Sequence, residues 1–317
     1  MDFSNYASAF VVALVFSALI CVVVIPVLRK VRAGQKVLTY VKEHEQKSGT
    51  PTMGGIAFLL SATSVTLIFC PNIDRTLIVA LVIGVAYGLV GVLDDYLKIK
   101  RKENLGLTAK QKIAFQIIVA ILASVYAMRV GLTKISLPFL KSELDVGWWI
   151  IPLSTFVFLA TVNCVNLTDG LDGLASGTCV PFFLFFSILL FGRFEGLSVL
   201  SIALAGALIG FLIFNTYPAS VFMGDTGSLA LGGFASCIGV FSGNFLYIAI
   251  VGIAFVASGV SVIAQVIYFK ATGGKRILKM SPLHHHFQRC GYSESKIAYG
   301  YFALTLAVGC ICLIFNL

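Results

Sequence analysis

The sequence predicts an all-α integral membrane protein of about ten transmembrane helices. Three observations carry that class. Of the 317 residues, 58% are hydrophobic and 12% are charged, about half the ~25% charge of a soluble domain. Mean hydropathy is +0.96, and apolar runs recur near the roughly 20 residues that a helix needs to cross a bilayer. Lys and Arg, finally, are segregated between alternate loops.

The first run, Ala7 to Leu28, is long enough to span and is followed by a basic cluster, which reads as a retained helix and not a cleaved signal peptide. Further runs lie at 53–70, 76–93, 112–128, 148–164, 179–192, 197–214, 227–241, 245–269 and 297–316. Alternation then puts 29–52, 94–112, 163–178, 215–226 and 270–296 on one face. On that face 29–52, 94–112 and 270–296 hold six Lys and Arg each, while the other face has Arg75, Arg129, Lys134, Lys141 and Arg193. Short basic loops stay in the cytoplasm, so this face is expected to be cytoplasmic and both termini extracytoplasmic. Segment 129–148 is expected to be a small ordered extracytoplasmic loop. The same distribution assigns the net charge of +9 to membrane topology, not to a nucleic-acid surface. Eight scattered cysteines without a CxxC pair read as buried, reduced thiols. One polytopic catalytic domain over 1–317 is expected.

Asp94, Asp95, Asp169, Asp172 and Asp225 come from three separate loops of the predicted cytoplasmic face, and ionisable residues at a membrane boundary point to function. Asp94 and Asp95 end the third run, with Lys98 one turn on and a basic stretch after it. That pattern suits a magnesium–phosphate site. Asn163, Asn166, Asp169 and Asp172 recur every three residues, with Gly170 and Gly173 among them. They predict a broken helix end whose amides and acids converge on a polar ligand. Asp225 lies at a plausible helix N-terminus, where an acid also acts as a cap. Phe222 before it is placed either to stack a nucleobase or simply to pack, and Asn215 opens the same loop. The loop 43–55 brings Lys47, Thr50, Thr52 and paired glycines to the start of the second run. The run His284–His285–His286 cannot face one metal from a regular helix, whose successive residues point about 100° apart. Phosphate or leaving-group contact by an imidazolium is the better reading, with zinc the alternative.

The ordered motifs DDYLK, NxxNLTDGLDGLA, FNxYPAxVFMGDTGSLALG and PLHHHF, with KSGTPTMGG before them, cover nearly the whole chain. The set resembles the phospho-N-acetylmuramoyl-pentapeptide transferases, bacterial membrane enzymes of peptidoglycan synthesis within the polyprenyl-phosphate N-acetylhexosamine-1-phosphate transferase superfamily. The resemblance implies transfer from UDP-MurNAc-pentapeptide to undecaprenyl phosphate with Mg²⁺, giving lipid I and UMP. It also implies ten transmembrane helices in the bacterial cytoplasmic membrane, and a homodimer. By motif, Asp225 would be the magnesium ligand with Asp94 and Asp95 beside it and Asn215 in the same polar cluster. Lys47, Thr52, Asn166, Asp169, Leu171, Phe222 and Gln265 would form the nucleoside neighbourhood. Lys98 and Lys110 would face phosphates, and His284, His285 and His286 would flank the sugar-phosphate and peptide entrance. The competing expectations are a related transferase using UDP-N-acetylglucosamine, a nucleotide-sugar or ion transporter, and an interaction protein.

Overall fold

The computed structural model describes residues 3–31, 49–101, 105–140 and 142–316. Lys47 and the other residues of the predicted 43–55 loop before Gly49 lie outside them. Among the described residues the chain forms α1 (Phe3–Lys30), α2 (Gly55–Phe69), α3 (Arg75–Arg101), α4 (Ala109–Arg129), β1 (Lys134–Leu137), β2 (Ser142–Asp145) and α5 (Ile150–Thr168). It continues with α6 (Leu174–Leu189), α7 (Glu195–Asn215), α8 (Gly224–Phe241), α9 (Phe245–Val251), α10 (Ile253–Ala271), α11 (Leu283–Arg289) and α12 (Glu294–Asn316). Seven of these helices are long and apolar enough to cross a membrane; α2 and α6 are shorter apolar helices.

Each predicted apolar run contains a helix, but the ends differ for physical reasons. Helix α3 runs on past Leu93 to Arg101, so Asp94 and Asp95 sit inside a continuous helix and not at its end. Their ion pairs to Lys98, one turn on, let charge continue the helix where hydrophobicity stops. The ninth run breaks at Gly252 into α9 and α10. The histidines form an additional short helix, α11. The segment 129–148 is ordered as a small hairpin: β1 and β2 pair antiparallel, Lys134 opposite Asp145 and Leu137 opposite Ser142. All eight cysteines are free; Cys290 and Cys310 are exposed rather than buried.

Helix α8 is the axis of the packing. It is buried at every position from Thr226 to Phe241, with α3 and α5 against it. Small residues make this possible, because backbones without bulky side chains approach closely. A side chain at Gly91 of α3 would run into the Asp225 carbonyl, and one at Gly232 into Val162 of α5. The start of α2 docks on the same helix end: Gly55 N–H donates to Met223 O at 3.1 Å, and Phe222 N–H donates to Pro51 O at 2.9 Å.

The connections gather at two ends. At one, Ser136 N–H donates to Gly243 O, Tyr6 packs on Phe191, and Phe139 at the hairpin tip packs on Tyr247 and Phe315. Both described chain ends therefore lie with the hairpin. At the other end are the loops around Gly54, Leu107, Gly170 and Ala219, and there the carboxylates meet.

Candidate active site

Asp94, Asp95 and Asp225 each bring a carboxylate oxygen within 4.8 Å of the others, and among the described residues no other group of three could hold a metal. Their surroundings differ. Asp95 is fully buried; its Oδ2 accepts from Thr226 N at 2.9 Å and Thr226 Oγ1 at 2.8 Å, and its Oδ1 from Asp225 N at 3.3 Å. It thus satisfies the free amides at the N-terminus of α8 from outside that helix. Gly224, at φ +71°, makes the turn into α8, and any side chain there would strike Asp95 Oδ2 and Thr52 Oγ1. Asp94 Oδ1 accepts from Leu107 N at 2.8 Å, so this acid ties α3 to the start of α4.

Asp225 is held only by side chains. Its Oδ1 accepts from Asn166 Nδ2 at 2.6 Å, and its Oδ2 meets Lys98 Nζ at 2.7 Å and Lys112 Nζ at 3.1 Å. Asn166 also donates to Ser228 Oγ at 2.8 Å and accepts from Lys112 Nζ. Asp94 Oδ2 is buried without a hydrogen-bond partner, although Lys98 Nζ stands 2.6 Å away as an ion pair off the bonding direction. Carboxylate oxygens converging beside an unpartnered one are the donor set of a hard divalent cation. The residues present therefore fit one, with Asp94 Oδ2 the unpartnered oxygen and Asp225 the least buried of the three acids.

The four polar residues spaced by three do not all turn to one place. On the regular turns of α5 they fan out, and the chain leaves the helix before the last two. Asn163 Nδ2 donates to Gln116 Oε1 at 2.7 Å, deeper along α4. Asn166 reaches Asp225, and Asp172 Oδ2 accepts from Ala219 N at 3.0 Å. Asp169 lies past the end of α5; burial, and then the charges of Asp225, Asp95 and Asp172, hold its carboxyl well above the usual carboxylate range. Asn215 stands apart from the carboxylates, with Nδ2 donating to Val221 O and Oδ1 accepting from Ser176 Oγ at 2.6 Å. Leu171 packs with Leu174, Ala254, Ile297 and Tyr301. Thr52 is buried with its hydroxyl unpartnered. Phe222 is half-buried, and its backbone pairs with Pro51 and Gly54.

Lys110 is exposed, whereas Lys112, two residues on, reaches the acids. The sequence reading missed Lys112. Thr108 and Gln111 form a capping box that starts α4, and the buried face then runs through Gln116, Ala120, Ala123 and Ala127. Lys112 is one turn before Gln116 and shares that face. Ser228 and Glu294 were missed as well. Glu294 accepts from Asp172 N at 3.2 Å and from Gln288 Nε2 at 3.4 Å, joining α12 to the loop before α6 and to α11.

His284 and His285 lie together, ring centroids 4.4 Å apart and both Nε2 atoms beside Gly170, whereas His286 turns toward Lys279. His284 is fully buried, its ring nitrogens unpartnered, and it packs where a side chain at Gly170 would go. Burial, and then His285, push it down to about 3, so it is a neutral imidazole and not the expected imidazolium. His285 Nδ1 lies 3.2 Å from Gln288 Oε1, and His286 Nδ1 accepts from Lys279 N at 3.1 Å. With His286 turned away, the three rings do not form a zinc cage among the described residues. Gln265 Oε1 accepts from Ile277 N and Leu278 N and its Nε2 donates to Leu278 O, pinning the loop ahead of α11.

An apolar groove of about 560 Å³ runs between α5 and α9–α10, lined by residues such as Phe156, Ala160, Leu167, Phe255 and Ile263. Asn163 also lines it, one helical turn from Asn166.

The profile of Glycosyl transferase family 4 matches residues 77–243. The phospho-N-acetylmuramoyl-pentapeptide-transferase signature 1 matches residues 47–59. The chain is 44% identical over 302 residues to a phospho-N-acetylmuramoyl-pentapeptide-transferase of Clostridium botulinum (strain Eklund 17B / Type B), covering 94% of this chain and 93% of the relative. It is 45% identical over 300 residues to that of Thermoanaerobacter sp. (strain X514), at 94% of each chain. With that of Bacillus subtilis (strain 168) it shares 44% over 300 residues, 92% of each.

Proposed function

The chain belongs to the phospho-N-acetylmuramoyl-pentapeptide-transferase family, and on that premise we propose that it transfers phospho-MurNAc-pentapeptide from UDP-MurNAc-pentapeptide to undecaprenyl phosphate. The products are lipid I and UMP. The observation that supports this most is Asp225, a carboxylate held between Lys98, Lys112 and Asn166 beside two buried acids. An oxygen of the acceptor phosphate bonds to the sugar-bearing phosphorus of the donor. The bridging P–O bond breaks, and UMP leaves with the electron pair. An ionised phosphate is already a nucleophile, so a direct displacement needs no covalent enzyme intermediate. Asp94, its Oδ1 engaged by Leu107, positions the start of α4 and, with it, Lys112.

Three carboxylates against two ammonium groups leave the pocket negative, and a diphosphate adds to that charge. Mg²⁺ held by Asp225, with Asp94 and Asp95 beside it, supplies the compensating charge when bound. Lys98 and Lys112 lie where they would turn from Asp225 to the donor's phosphates. The neutral His284 leaves phosphate contact to His285 and His286 at the edge of the site.

The apolar groove along α5 suits the acceptor's polyprenyl chain, because Asn163 and Leu167, on either side of Asn166, both line it. The spans are then α1 to α8, the broken α9–α10 unit and α12, in the bacterial cytoplasmic membrane. The basic loops put the carboxylate end in the cytoplasm and both chain ends outside. Release of UMP from UDP-MurNAc-pentapeptide with undecaprenyl phosphate and Mg²⁺ tests this reading. Release from UDP-N-acetylglucosamine alone would assign the chain to the sister specificity. A phospho-muramoyl adduct trapped on the protein without acceptor would replace the direct route.

A further inference from the structure

A second cavity lies between the C-terminal turns of α10 and α11, at the carboxylate end of the molecule. It measures about 580 Å³, and its lining includes Gln265, Phe269, Lys270, Arg276, Ser281 and Arg289. Three of these are cations, Arg289 with a partner of its own, and among the described residues no carboxylate lines the cleft. The only acid in the whole stretch 270–296 is Glu294, and it is engaged by Asp172 N and Gln288. The cleft is built rather than incidental. Gln265 is 8% exposed, and its amide is spent on the backbone of Ile277 and Leu278. That clamp fixes the chain next to Arg276.

The volume is that of a site for several linked groups, within the roughly 300–1,000 Å³ of ligand pockets, and larger than a lone anion needs. A guanidinium beside an ammonium, with no acid among the described lining residues, selects carboxylate or phosphate through charge-assisted hydrogen bonds. Position chooses between them. Arg289 shares α11 with His284, about 7.5 Å away along the axis, and His284 packs on Gly170 beside Asp169. A muramoyl-linked peptide is acylated at its N-terminus, so its other end is a free carboxylate. Five extended residues reach about 17 Å, more than the length of α11 from His284 to Arg289.

We propose that this basic cleft binds the C-terminal carboxylate end of the donor's peptide, with Lys270 and Arg276 as the residues that read its charge. The inference rests on the donor assigned above. The test uses the full chain in lipid nanodiscs and two synthetic donors, one with the peptide's terminal carboxylate free and one with it amidated. For the wild type, KM for the amidated donor should be about tenfold higher, the size of one charge-assisted contact. In Lys270→Gln/Arg276→Gln the two donors should become alike. Equal KM values for both donors in the wild type would overturn the proposal without any variant having to fold. So would a variant that raises KM only for the lipid acceptor, which would make the cleft a lipid-phosphate site. If the wild type releases UMP from neither donor, the donor assignment itself fails and the cleft reading with it.

Discussion

Helices α8 and α10 are built on opposite plans. From Thr226 to Phe241 every residue of α8 is buried, whereas α10 buries only Ala254, Phe255, Ser258, Gly259 and Gln265. The three carboxylates gather at the start of the first, where Asp95 caps the helix and glycines lock it to α2 and α3. The apolar groove and the basic cleft lie along the second, which touches the rest of the protein on one side. Chemistry needs groups fixed to within a fraction of an ångström, while a long lipid and a peptide need a surface that can yield. The largest break in that contrast comes from the acid itself. Asp225→Asn should lower UMP formation by about 10²–10³-fold or more, the scale of losing a preorganised charged group. The variant should still fold, because asparagine relieves the carboxylate crowding. Near-normal activity would move the chemistry away from α8.

The packing beneath the acid comes next. Gly91→Ala puts a methyl group onto the Asp225 carbonyl, an overpacking that costs about 1–3 kcal/mol. It should lower the unfolding temperature and activity together. Gly300→Ala on α12 meets nothing within 4 Å and should be neutral or slightly stabilising, as alanine is the better helix former. Equal effects at the two positions would erase the distinction between a locked axis and a permissive periphery.

The parts of the site legible in the sequence were those with local signatures. Hydrophobic runs located the helices, because burial and lipid both select apolar residues. The DD pair and Asp225 stood out as charges at the edges of apolar runs. What was not legible were the partners across the fold. Spacing by three suggested that Asn163 and Asn166 act together, yet one turn of α5 separates a bond to Gln116 from a bond to Asp225. Lys112 looked no different from Lys110 until the capping box fixed the phase of α4. Asn166→Ala should accordingly cut kcat about tenfold, the loss of one hydrogen bond to a charged group, by releasing Asp225. Asn163→Ala should leave kcat nearly unchanged and act on stability through α4–α5. A reversed order would show that the deeper contact, not the Asp225 contact, positions the acid.

The effect that appears only in acid belongs to His284, the one fully buried ring of α11. Its folded value is about 3 against an ordinary 6.5. Between those limits the unfolded chain binds a proton that the folded chain refuses. The imidazole's contribution to stability is therefore complete above pH 6.5 and is lost as pH falls toward 3, at no more than about 1.4 kcal/mol per pH unit. Asp169, beside it, acts in the opposite sense. Its carboxyl is held high by burial and by Asp225, Asp95 and Asp172, so it favours the folded chain as pH falls. The wild-type profile alone mixes the two, but the difference between wild type and His284→Gln isolates the imidazole. Thermal unfolding of both in nanodiscs from pH 7.5 to 4.5 should show the variant losing less stability toward acid. Parallel curves would mean that His284 is charged in the folded protein and that α11, like α10, can yield enough to admit water.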